Sequence, residues 1–177
     1  MGTSLNRLPS GREEHHHKAE SIPTPRIAVV TVSDTRTPET DLNGQYLKQQ
    51  ILVEGLILAA YHVVRDDPEG IGRLLDLLAE SDVQVILFNG GTGLSRRDTT
   101  YDVLSGRLEK TLPGFGELFR MLSFSEVGAA AMFSRATAGV YHGKVIIATP
   151  GSPAAVQLAW EKLISPEIRH LAWEITR

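Results

Sequence analysis

The sequence predicts an α/β fold in which helices cover both faces of a β-sheet, and three observations lead to this prediction. Runs of β-branched and other apolar residues, each of strand length, recur along the chain. Stretches with the apolar spacing of amphipathic helices lie between these runs. With 177 residues, of which 42% are hydrophobic and 22% charged, the chain has the size of one globular domain. Alternation of this kind favours a sheet with helices on both sides, joined by right-handed crossovers.

The first predicted elements begin at Arg26. The β-branched run over 26–33 is typical of a strand that is buried on both faces. A helix is predicted from about Asn43, and Gly55 is expected to end it. Residues 56–65 then form the second predicted strand.

The remaining elements continue the alternation. A third strand is predicted over 83–88 and a further strand over 144–149. Residues 101–132 are predicted to be mainly helical, with a break where proline and glycine cluster at 113–116. Three further helices are predicted from apolar stripes, which comprise Ile71, Leu74, Leu75 and Leu78, then Val156, Ala159, Trp160 and Leu163, and finally Ile168, Leu171, Ala172 and Ile175.

Composition narrows the classes of partner. The 18 basic and 21 acidic side chains give a net charge of -3, which offers no electrostatic basis for binding nucleic acid or an anionic membrane. The chain has no cysteine, which excludes disulfides, a thiolate nucleophile and a cysteine-based zinc site, and which suits a reducing cytosol. The apolar runs are too short to span a membrane, and the N-terminus lacks the apolar segment of a signal peptide. A cytoplasmic protein is therefore expected.

The first 25 residues show neither helical nor strand periodicity, and they are predicted to form a disordered tail. The folded domain is accordingly predicted over 26–177. The tail carries His15, His16 and His17, which could bind a transition metal but are more often only a feature of tail composition.

Ligands of open α/β sheets bind beyond the carboxyl ends of the strands, so the segments that follow the predicted strands form one candidate site. Each of these segments is polar or rich in glycine. Turns of this kind are common for steric reasons alone, but four of them at one edge of a sheet favour a ligand site. The four segments are Ser33-Asp34-Thr35, Asp66-Asp67-Pro68, Asn89-Gly90-Gly91-Thr92-Gly93 and Thr149-Pro150-Gly151-Ser152-Pro153.

Residues 90–93, the glycine loop, carry the clearest signal. Its three glycines remove side chains so that backbone N–H groups can close around an anion, and Thr92 adds a hydroxyl donor. The loop is not a Walker A loop, which would need Gly-x-x-x-x-Gly-Lys-Ser/Thr. Nor is it the Gly-x-Gly-x-x-Gly of dinucleotide-binding proteins, because Arg96 stands at the position of the last glycine.

The residues after the glycine loop could hold a phosphate and a metal ion. Arg97, like the arginine before it, provides a guanidinium group that can pair with phosphate. Asp98 together with Asp66 or Asp67 would give Mg²⁺ the one or two carboxylates that it usually takes beside phosphate oxygens. The alternative is that Asp98 only caps the next helix, where the two threonines after it are competing caps. The spacing leaves both interpretations open.

Five motifs follow one another after the tail: Thr31-Val32-Ser33-Asp34, the glycine loop with Arg97-Asp98 after it, Pro113-Gly114-Phe115-Gly116-Glu117, Ser134-Arg135-Ala136 and Pro150-Gly151-Ser152-Pro153. In this order and at these separations they resemble the motifs of the MoaB/Mog family of molybdenum-cofactor biosynthesis proteins, to which the G domain of gephyrin is related. A single Gly-Gly-Thr-Gly would be weak support, but five ordered motifs are hard to obtain by chance. The segment 116–124 is closer to the MoaB branch than to the Mog branch.

The resemblance implies a three-layer α/β/α fold around a mostly parallel sheet, assembled as a homotrimer or as a hexamer of two trimers. It also implies that the protein binds molybdopterin. In the catalytic branch of the family, molybdopterin and Mg-ATP are converted to adenylyl-molybdopterin and pyrophosphate, so that ATP and molybdopterin are substrates and Mg²⁺ is the cofactor. The MoaB branch includes members without demonstrated adenylyl transfer. Two alternatives therefore remain, a non-catalytic molybdopterin-binding paralogue and an oligomeric scaffold.

The resemblance further assigns roles to residues by motif. Asp98 is expected to be one essential carboxylate and either Asp66 or Asp67 the other, with Asp66 preferred because it directly ends the strand pattern. Phosphate is expected to be held by Gly90, Gly91, Thr92 and Gly93. The nucleotide and pterin sites are expected to be lined by Ser33, Asp34, Ser134, Arg135, Pro150, Gly151 and Ser152.

One motif departs from the family pattern. After the aspartate many catalytic members read Thr-Pro-Glu, whereas this chain reads Thr100-Tyr101-Asp102. The proline that presets the start of a helix is missing, and the carboxylate is one methylene shorter. A site residue there would reach less far. Retention of aspartate at both acidic positions nevertheless favours activity over the two alternatives.

The segment 113–132 is too apolar for an exposed helix pair, so it is predicted to lie between subunits of a homo-oligomer. It concentrates Phe115, Leu118, Phe119, Met121, Leu122 and Phe124. Association through helices is also what the family resemblance implies.

Overall fold

Six strands form the central sheet in the computed structural model, which describes residues 23–176. They are β1 (Arg26–Val32), β2 (Ile57–Val64), β3 (Val85–Asn89), β4 (Lys110–Thr111), β5 (Thr137–Tyr141) and β6 (Lys144–Thr149). The order across the sheet is β2-β1-β3-β6-β5-β4. The first four strands in this order are parallel, and β5 and β4 extend the sheet by antiparallel pairing. The prediction of a mostly parallel sheet is confirmed.

Helices connect the strands. In the described part of the chain the α-helices are α1 (Leu42–Val53), α2 (Pro68–Ala79), α3 (Thr100–Ser105), α4 (Pro113–Val127), α5 (Pro153–Ala159) and α6 (Ile168–Glu174). A 3₁₀ helix, Gly128–Phe133, continues α4. A π-helical turn, Trp160–Ile164, and a short 3₁₀ turn, Ser165–Glu167, join α5 to α6.

Alternate residues of the central strands face opposite helical layers. In β1, Ile27 and Val29 pack with α1, α4 and the C-terminal helices, whereas Ala28 and Val30 pack with α2 and α3. Both faces of the strand are therefore buried, which explains its continuous apolar sequence. The three-layer α/β/α arrangement is confirmed.

Two short strands were not predicted from the sequence. β4 lies inside the segment expected to be mainly helical, and β5 follows that segment. Gly139 of β5 allows the close pairing of these strands, because a Cβ atom there would collide with the backbone carbonyl of Lys110.

The predicted helix break is displaced, since α4 begins at Pro113 and the two glycines after it lie inside the helix. Proline suits the first helical turn because its missing N–H has no partner there in any case.

The predicted tail, with its three adjacent histidines, lies outside the described residues except for 23–25. Pro25 is buried, and its carbonyl accepts a hydrogen bond from the N–H of Ile57 at 3.1 Å. The described fold therefore begins before Arg26, the predicted first residue of the domain. Within residues 23–176, each helix is too short or too polar to cross a membrane.

Candidate functional site

A cleft of about 620 Å³ lies at the carboxyl ends of β1, β3 and β6. Its walls come from the loops after these strands, the start of α1, the C-terminal half of α4 and the 3₁₀ helix. This is the edge at which open α/β sheets bind ligands. The predicted site residues that line the cleft are Ser33, Gly90, Gly91, Thr92, Gly93, Asp98, Ser134, Pro150, Gly151 and Ser152. Those that are not part of its lining are Asp34, Asp66, Asp67, Arg97 and Arg135.

Close contacts require glycine in the glycine loop. Gly90 and Gly91 have φ angles of 98° and 65°, a region that favours glycine. A side chain at Gly90 would collide with the backbone carbonyl of Val32, and one at Gly91 would collide with the side chains of Thr100 and Asp66. The loop therefore presents backbone to the cleft, as an anion site requires.

The loops after β3 and β6 are in contact. A Cβ atom placed on Gly151 would lie 3.0 Å from the Cα of Gly90, so a side chain there would force the two loops apart. The N–H of Gly90 donates to the carbonyl of Thr149 at 3.1 Å. Ser152 Oγ accepts the N–H of Ala155 at 3.3 Å and caps α5, so its hydroxyl holds the helix start beside the cleft.

A buried amide network lies under these loops, and of its members only Asn43 was not in a segment or motif singled out from the sequence. Asn89 donates to the hydroxyl of Thr31 at 2.8 Å and accepts from Nδ2 of Asn43 at 3.1 Å. The same Nδ2 donates to the carbonyl of Gly151 at 2.9 Å. Oδ1 of Asn43 is buried and has no hydrogen-bond partner within the described residues. Asn43 and Asn89 both line the cleft, so the network joins its floor to β1, β3 and the loop after β6.

Three aspartates lie close together beside the glycine loop. Oδ1 of Asp66 accepts hydrogen bonds from the N–H and the hydroxyl of Thr99, and the N–H of Asp66 donates to Oδ1 of Asp34 at 3.3 Å. Burial raises the pKa of Asp66, and the negative charges of Asp98 and Asp34 raise it further against the opposing hydrogen bonds from Thr99.

Asp98 and Asp67 hold different local structures. Oδ2 of Asp98 accepts the N–H of Ser95 at 3.0 Å and lies 2.7 Å from the position of a Cβ atom on Gly93. Its carboxylate thus closes the loop before α3 and does not cap that helix, whose N-cap residue is Thr99. Asp67, by contrast, caps α2 by accepting the N–H of Gly70 at 2.7 Å. The two candidates for the second carboxylate are therefore distinct, since only Asp66 is turned toward the glycine loop.

The chemistry of the donor set fits Mg²⁺ better than a tighter-binding transition metal. Within residues 23–176, no group of three or more histidine, aspartate or glutamate side chains is arranged to hold a metal ion. Asp66 and Asp98 could supply two carboxylate ligands, which leaves the other positions to phosphate oxygens and water. Mg²⁺ is commonly bound in this way, whereas structural zinc sites need four protein ligands.

Arg135 holds the glycine loop from outside the cleft. Its guanidinium donates to the carbonyls of Thr92 at 3.0 Å, of Gly93 at 2.5 Å and of Asp98 at 3.2 Å. It also pairs with both oxygens of Asp102 at 2.9 and 3.1 Å. Arg135 is thus not part of the lining of the cleft, and its donors fix the loop backbone that is.

A different arginine reaches the cleft. Among the described residues that line it, Arg36 is the sole arginine or lysine. The sequence marked Arg97 for this role because it follows the glycine loop, but Arg97 is exposed and its N–H donates to Ser95 Oγ at 3.3 Å. Arg36 lies in the loop after β1, where no motif distinguished it from the other arginines.

The remaining wall of the cleft is mostly apolar. It is formed by α4 and the 3₁₀ helix through Phe119, Ser123, Glu126, Val127, Ala130, Ala131 and Phe133. Sequence reasoning assigned only Ser134 in this region, because an apolar helix pattern does not reveal which face meets a ligand. On the outside of the same helices, Met121, Phe124 and Met132 are 59%, 62% and 71% exposed.

Comparison with known proteins places these features in one domain. Residues 28–170 match a family described as a probable molybdopterin binding domain. Molybdenum cofactor biosynthesis protein B of Bacillus subtilis strain 168 is 44% identical over 163 residues, which cover 91% of this chain and 96% of that protein. The protein of the same name from Halalkalibacterium halodurans is equally similar, at 44% over 163 residues with the same coverage.

Solved structures have the same fold. A crystal structure of molybdenum cofactor biosynthesis protein B, 44% identical, superposes with a TM-score of 0.84 and covers 88% of this chain and 98% of that chain. The tungsten cofactor synthesizing protein MoaB from Pyrococcus furiosus, 31% identical, superposes with a TM-score of 0.79 and covers 89% of this chain and all of that chain. The similarity therefore extends over most of the described residues.

Proposed function

This chain belongs to the MoaB/Mog family of molybdenum-cofactor biosynthesis proteins, and we propose on this basis that it binds molybdopterin in the cleft and adenylylates it with ATP. Membership of the family places the protein in molybdenum cofactor biosynthesis. One observation carries the finer proposal: Asp66 and Asp98 both lie against the glycine loop, at the edge of the sheet where the cleft opens.

In the proposed reaction an oxygen of the terminal phosphate of molybdopterin attacks the α-phosphorus of ATP. A phosphorus–oxygen bond forms to the α-phosphorus, the bond between the α-phosphorus and the bridging oxygen breaks, and pyrophosphate leaves. No covalent bond to the protein is needed. The work of the protein is to position two anions and to offset their charge, which backbone N–H groups of the glycine loop suit.

Asp66 and Asp98 would hold Mg²⁺, which supplies positive charge to phosphate oxygens when it is bound. Asp66 has one oxygen occupied by Thr99, and Asp98 has one oxygen occupied by Ser95. The second oxygen of each carboxylate accepts no hydrogen bond from the described residues, which supports a role toward a bound ion. Asp67 is a weaker candidate because its carboxylate caps α2.

The departure at Thr100-Tyr101-Asp102 is compatible with this proposal. Asp102 pairs with Arg135, whose guanidinium also lies 4.7 Å from the ring centre of Tyr101. Both side chains therefore support the arginine that holds the glycine loop. We assign neither of them a contact with the substrates, so the shorter carboxylate does not argue against catalysis.

The non-catalytic paralogue remains the second candidate, because binding of molybdopterin needs the cleft but not the two carboxylates. An oligomeric scaffold needs neither. The position of Asp66 and Asp98 against the glycine loop favours the enzyme over both, since neither a binding surface nor a scaffold needs a pair of carboxylates beside a phosphate loop.

We further propose that the protein is a homo-oligomer, a trimer or a hexamer of two trimers. The exposed apolar residues of α4 and the 3₁₀ helix support this proposal, because a contiguous apolar surface of this kind is more often an interface than a free face. The interface would lie on the outer side of the helices whose inner side lines the cleft.

The test of the enzyme proposal is release of pyrophosphate by the full-length protein with molybdopterin, ATP and MgCl₂, with adenylyl-molybdopterin identified by mass spectrometry. Reactions without molybdopterin and reactions with EDTA serve as controls. Pyrophosphate release that requires all three components supports the proposal. Tight binding of molybdopterin without any adenylyl transfer would contradict the enzyme proposal and support a non-catalytic molybdopterin-binding paralogue.

A further inference from the structure

The loop after β1 carries an arginine whose side chain is held at the cleft. The guanidinium of Arg36 is partly exposed, with 28% of its side chain accessible, and Nη1 lies 3.4 Å from Oδ1 of Asp41. Arg36 lines the cleft together with the acidic side chains Asp98 and Glu126, and it is the one basic side chain in that lining within the described residues. A cation at this position is suited to an anionic ligand.

The anchor of this arginine is a fully buried carboxylate. Asp41 has no exposed side-chain surface, and its Oδ2 accepts a hydrogen bond from the hydroxyl of Tyr61 at 2.8 Å. Burial raises the pKa of Asp41, but hydrogen bonds from Thr31, the N–H of Gly44, Tyr61 and Arg36 outweigh burial and bring the pKa below its ordinary value. Asp41 is therefore ionised at neutral pH and keeps a negative charge behind Arg36.

The local sequence is adapted to this anchor. A Cβ atom at Gly44 would collide with the carboxylate of Asp41 and with the ring of Tyr61, so a larger residue would displace both. The turn that leads to Arg36 is held as well, because Ser33 Oγ accepts the N–H groups of Thr35 at 3.3 Å and of Arg36 at 3.2 Å. Arg36 is thus fixed at its backbone and at one nitrogen of its guanidinium.

Pairing with the negative charge of Asp41 does not by itself explain why an arginine stands at position 36. The carboxylate already accepts the hydroxyl of Tyr61 at 2.8 Å, whereas the 3.4 Å contact with Arg36 is longer and near the limit of a hydrogen bond. A guanidinium has five N–H donors, and the described structure engages only Nη1. Its other donors remain for a ligand in the cleft.

We propose that Arg36 is a phosphate-binding residue of the cleft and that Asp41 is its positioning residue. The proposal rests on the proposed function, in which two phosphate-bearing substrates meet in this cleft. Both substrates offer the same chemistry, a phosphate oxygen that a guanidinium can bind through parallel N–H donors. The phosphate belongs either to the triphosphate of ATP or to the terminal phosphate of molybdopterin. Separate binding measurements with each ligand distinguish the two.

The experiment compares Arg36→Gln and Arg36→Lys with the unmutated full-length protein. Equilibrium dissociation constants for ATP with MgCl₂ and for molybdopterin are measured separately. Arg36→Gln should weaken one of the two ligands by about tenfold to a hundredfold, the range for loss of a hydrogen bond to a charged group, and the affected ligand identifies the phosphate. The affinity of Arg36→Lys for that ligand should lie between those of the unmutated protein and Arg36→Gln, because lysine keeps the positive charge but lacks the parallel N–H donors of a guanidinium.

A matched control is Arg73→Gln on α2. Arg73 is exposed, pairs with Glu69 at 3.0 Å and lies outside the lining of the cleft. This variant loses the same charge and should bind both ligands as the unmutated protein does. Binding by Arg36→Gln should also depend less on salt concentration than binding by the control, since one local cation is missing.

The role of Asp41 is tested by Asp41→Asn, whose folding is first checked by circular dichroism and thermal unfolding. This variant should weaken the same ligand as Arg36→Gln, by a smaller factor, and leave the other ligand unaffected. If Arg36→Gln lowers stability but binds both ligands normally, Arg36 serves only Asp41 and the inference is wrong. If the unmutated protein binds neither ligand, the proposed function fails, and this inference fails with it.

Discussion

Both hydrogen-bond donors of Thr99 contact one oxygen of Asp66: its backbone N–H lies 3.0 Å and its hydroxyl 2.6 Å from Oδ1. These bonds tie the start of α3 to the end of β2, two segments separated by 33 positions in the chain. Oδ2 of the same carboxylate is turned toward Gly91. Asp66 therefore has one oxygen bound by Thr99 and one that accepts no hydrogen bond from the described residues, so its structural role and its proposed metal-binding role are separable by mutation.

Asp66→Asn should strongly reduce adenylyl transfer without unfolding the protein. Asparagine keeps an oxygen that can accept both bonds from Thr99, but it removes the negative charge. Transfer should fall by at least about a hundredfold, the scale of losing one electrostatic stabiliser. The unfolding free energy of the ligand-free protein should not decrease, because an ionised carboxylate in this crowded position is unfavourable. Asp67→Asn, which can still cap α2, should retain transfer; a larger loss in Asp67→Asn than in Asp66→Asn would reverse our assignment.

The stability of the ligand-free protein should decrease with pH across the titration of Asp66. The folded pKa is raised, so the folded protein keeps this proton at pH values where the unfolded chain, with an aspartate pKa of about 3.9, has lost it. Because the folded state then binds more protons, the unfolding free energy falls as pH rises between the two pKa values. Urea denaturation from about pH 4 upward measures this slope. Asp66→Asn should show a flatter dependence, and equal slopes would contradict the raised pKa.

Asp98→Asn separates the loop contact of Asp98 from its charge. Asparagine can still accept the N–H of Ser95, now at 3.0 Å, so stability should change by less than about 1 kcal/mol. Transfer should fall by at least about a hundredfold if the carboxylate holds Mg²⁺. Asp98→Ala loses the hydrogen bond as well and should cost a further 0.5 to 1.5 kcal/mol, roughly the value of one hydrogen bond. Near-normal transfer by Asp98→Asn would reject the metal role.

Arg135→Lys should loosen the glycine loop even though the charge is kept. A lysine ammonium has a single nitrogen and cannot contact three carbonyls and a carboxylate together. Amide hydrogen exchange of residues 91–99 should become faster, and transfer should decrease. Asp102→Asn removes only the ion pair and should have a smaller effect on the same amides. Unchanged exchange in Arg135→Lys would show that the loop holds its shape without this arginine.

Charge on the outer face of α4 should disrupt the proposed oligomer. Light scattering of the unmutated protein at micromolar concentration is expected to give at least a trimer. Replacing Met121 and Phe124 together by glutamate should yield a smaller species with the same circular dichroism, because both side chains are exposed in the single chain. Leu77→Glu on α2, where the leucine is equally exposed, is the control and should leave the assembly intact. A monomeric unmutated protein would overturn the prediction.

The sequence predicted those parts of the fold that rest on local pattern. Continuous β-branched residues marked β1, and a helical stripe beginning at Ile71 marked α2, because both patterns reflect burial against the sheet. β5 has no such pattern, because Thr137–Tyr141 contains a glycine. Its strand conformation depends on antiparallel pairing with β6. A strand of two residues such as β4 is too short to show any period.

The same distinction explains which site residues could be predicted. The glycine loop directly follows β3 and Asp98 lies in the same connection to α3, so their position at the sheet edge could be inferred from the sequence. Asn43 lies within a helix, and its partners Asn89 and Gly151 are 46 and 108 positions away. A sequence shows which residues are charged but not where their side chains point. Arg135 was expected in the cleft but contacts the loop backbone, whereas Arg36 was not singled out and lines the cleft.

The contact between Gly90 and Gly151 limits how the binding preference of this protein can change during evolution. Where these two backbones meet without side chains, a substitution at Gly151 would press against the Cα of Gly90, so this part of the floor cannot change without shifting the loops. The wall formed by α4 and the 3₁₀ helix has no such restriction, since Val127, Ala130 and Phe133 meet the cleft through side chains. Relatives with different ligand preferences should therefore share the floor and differ in the wall, and redesign for a new pterin or nucleotide should begin at those three positions.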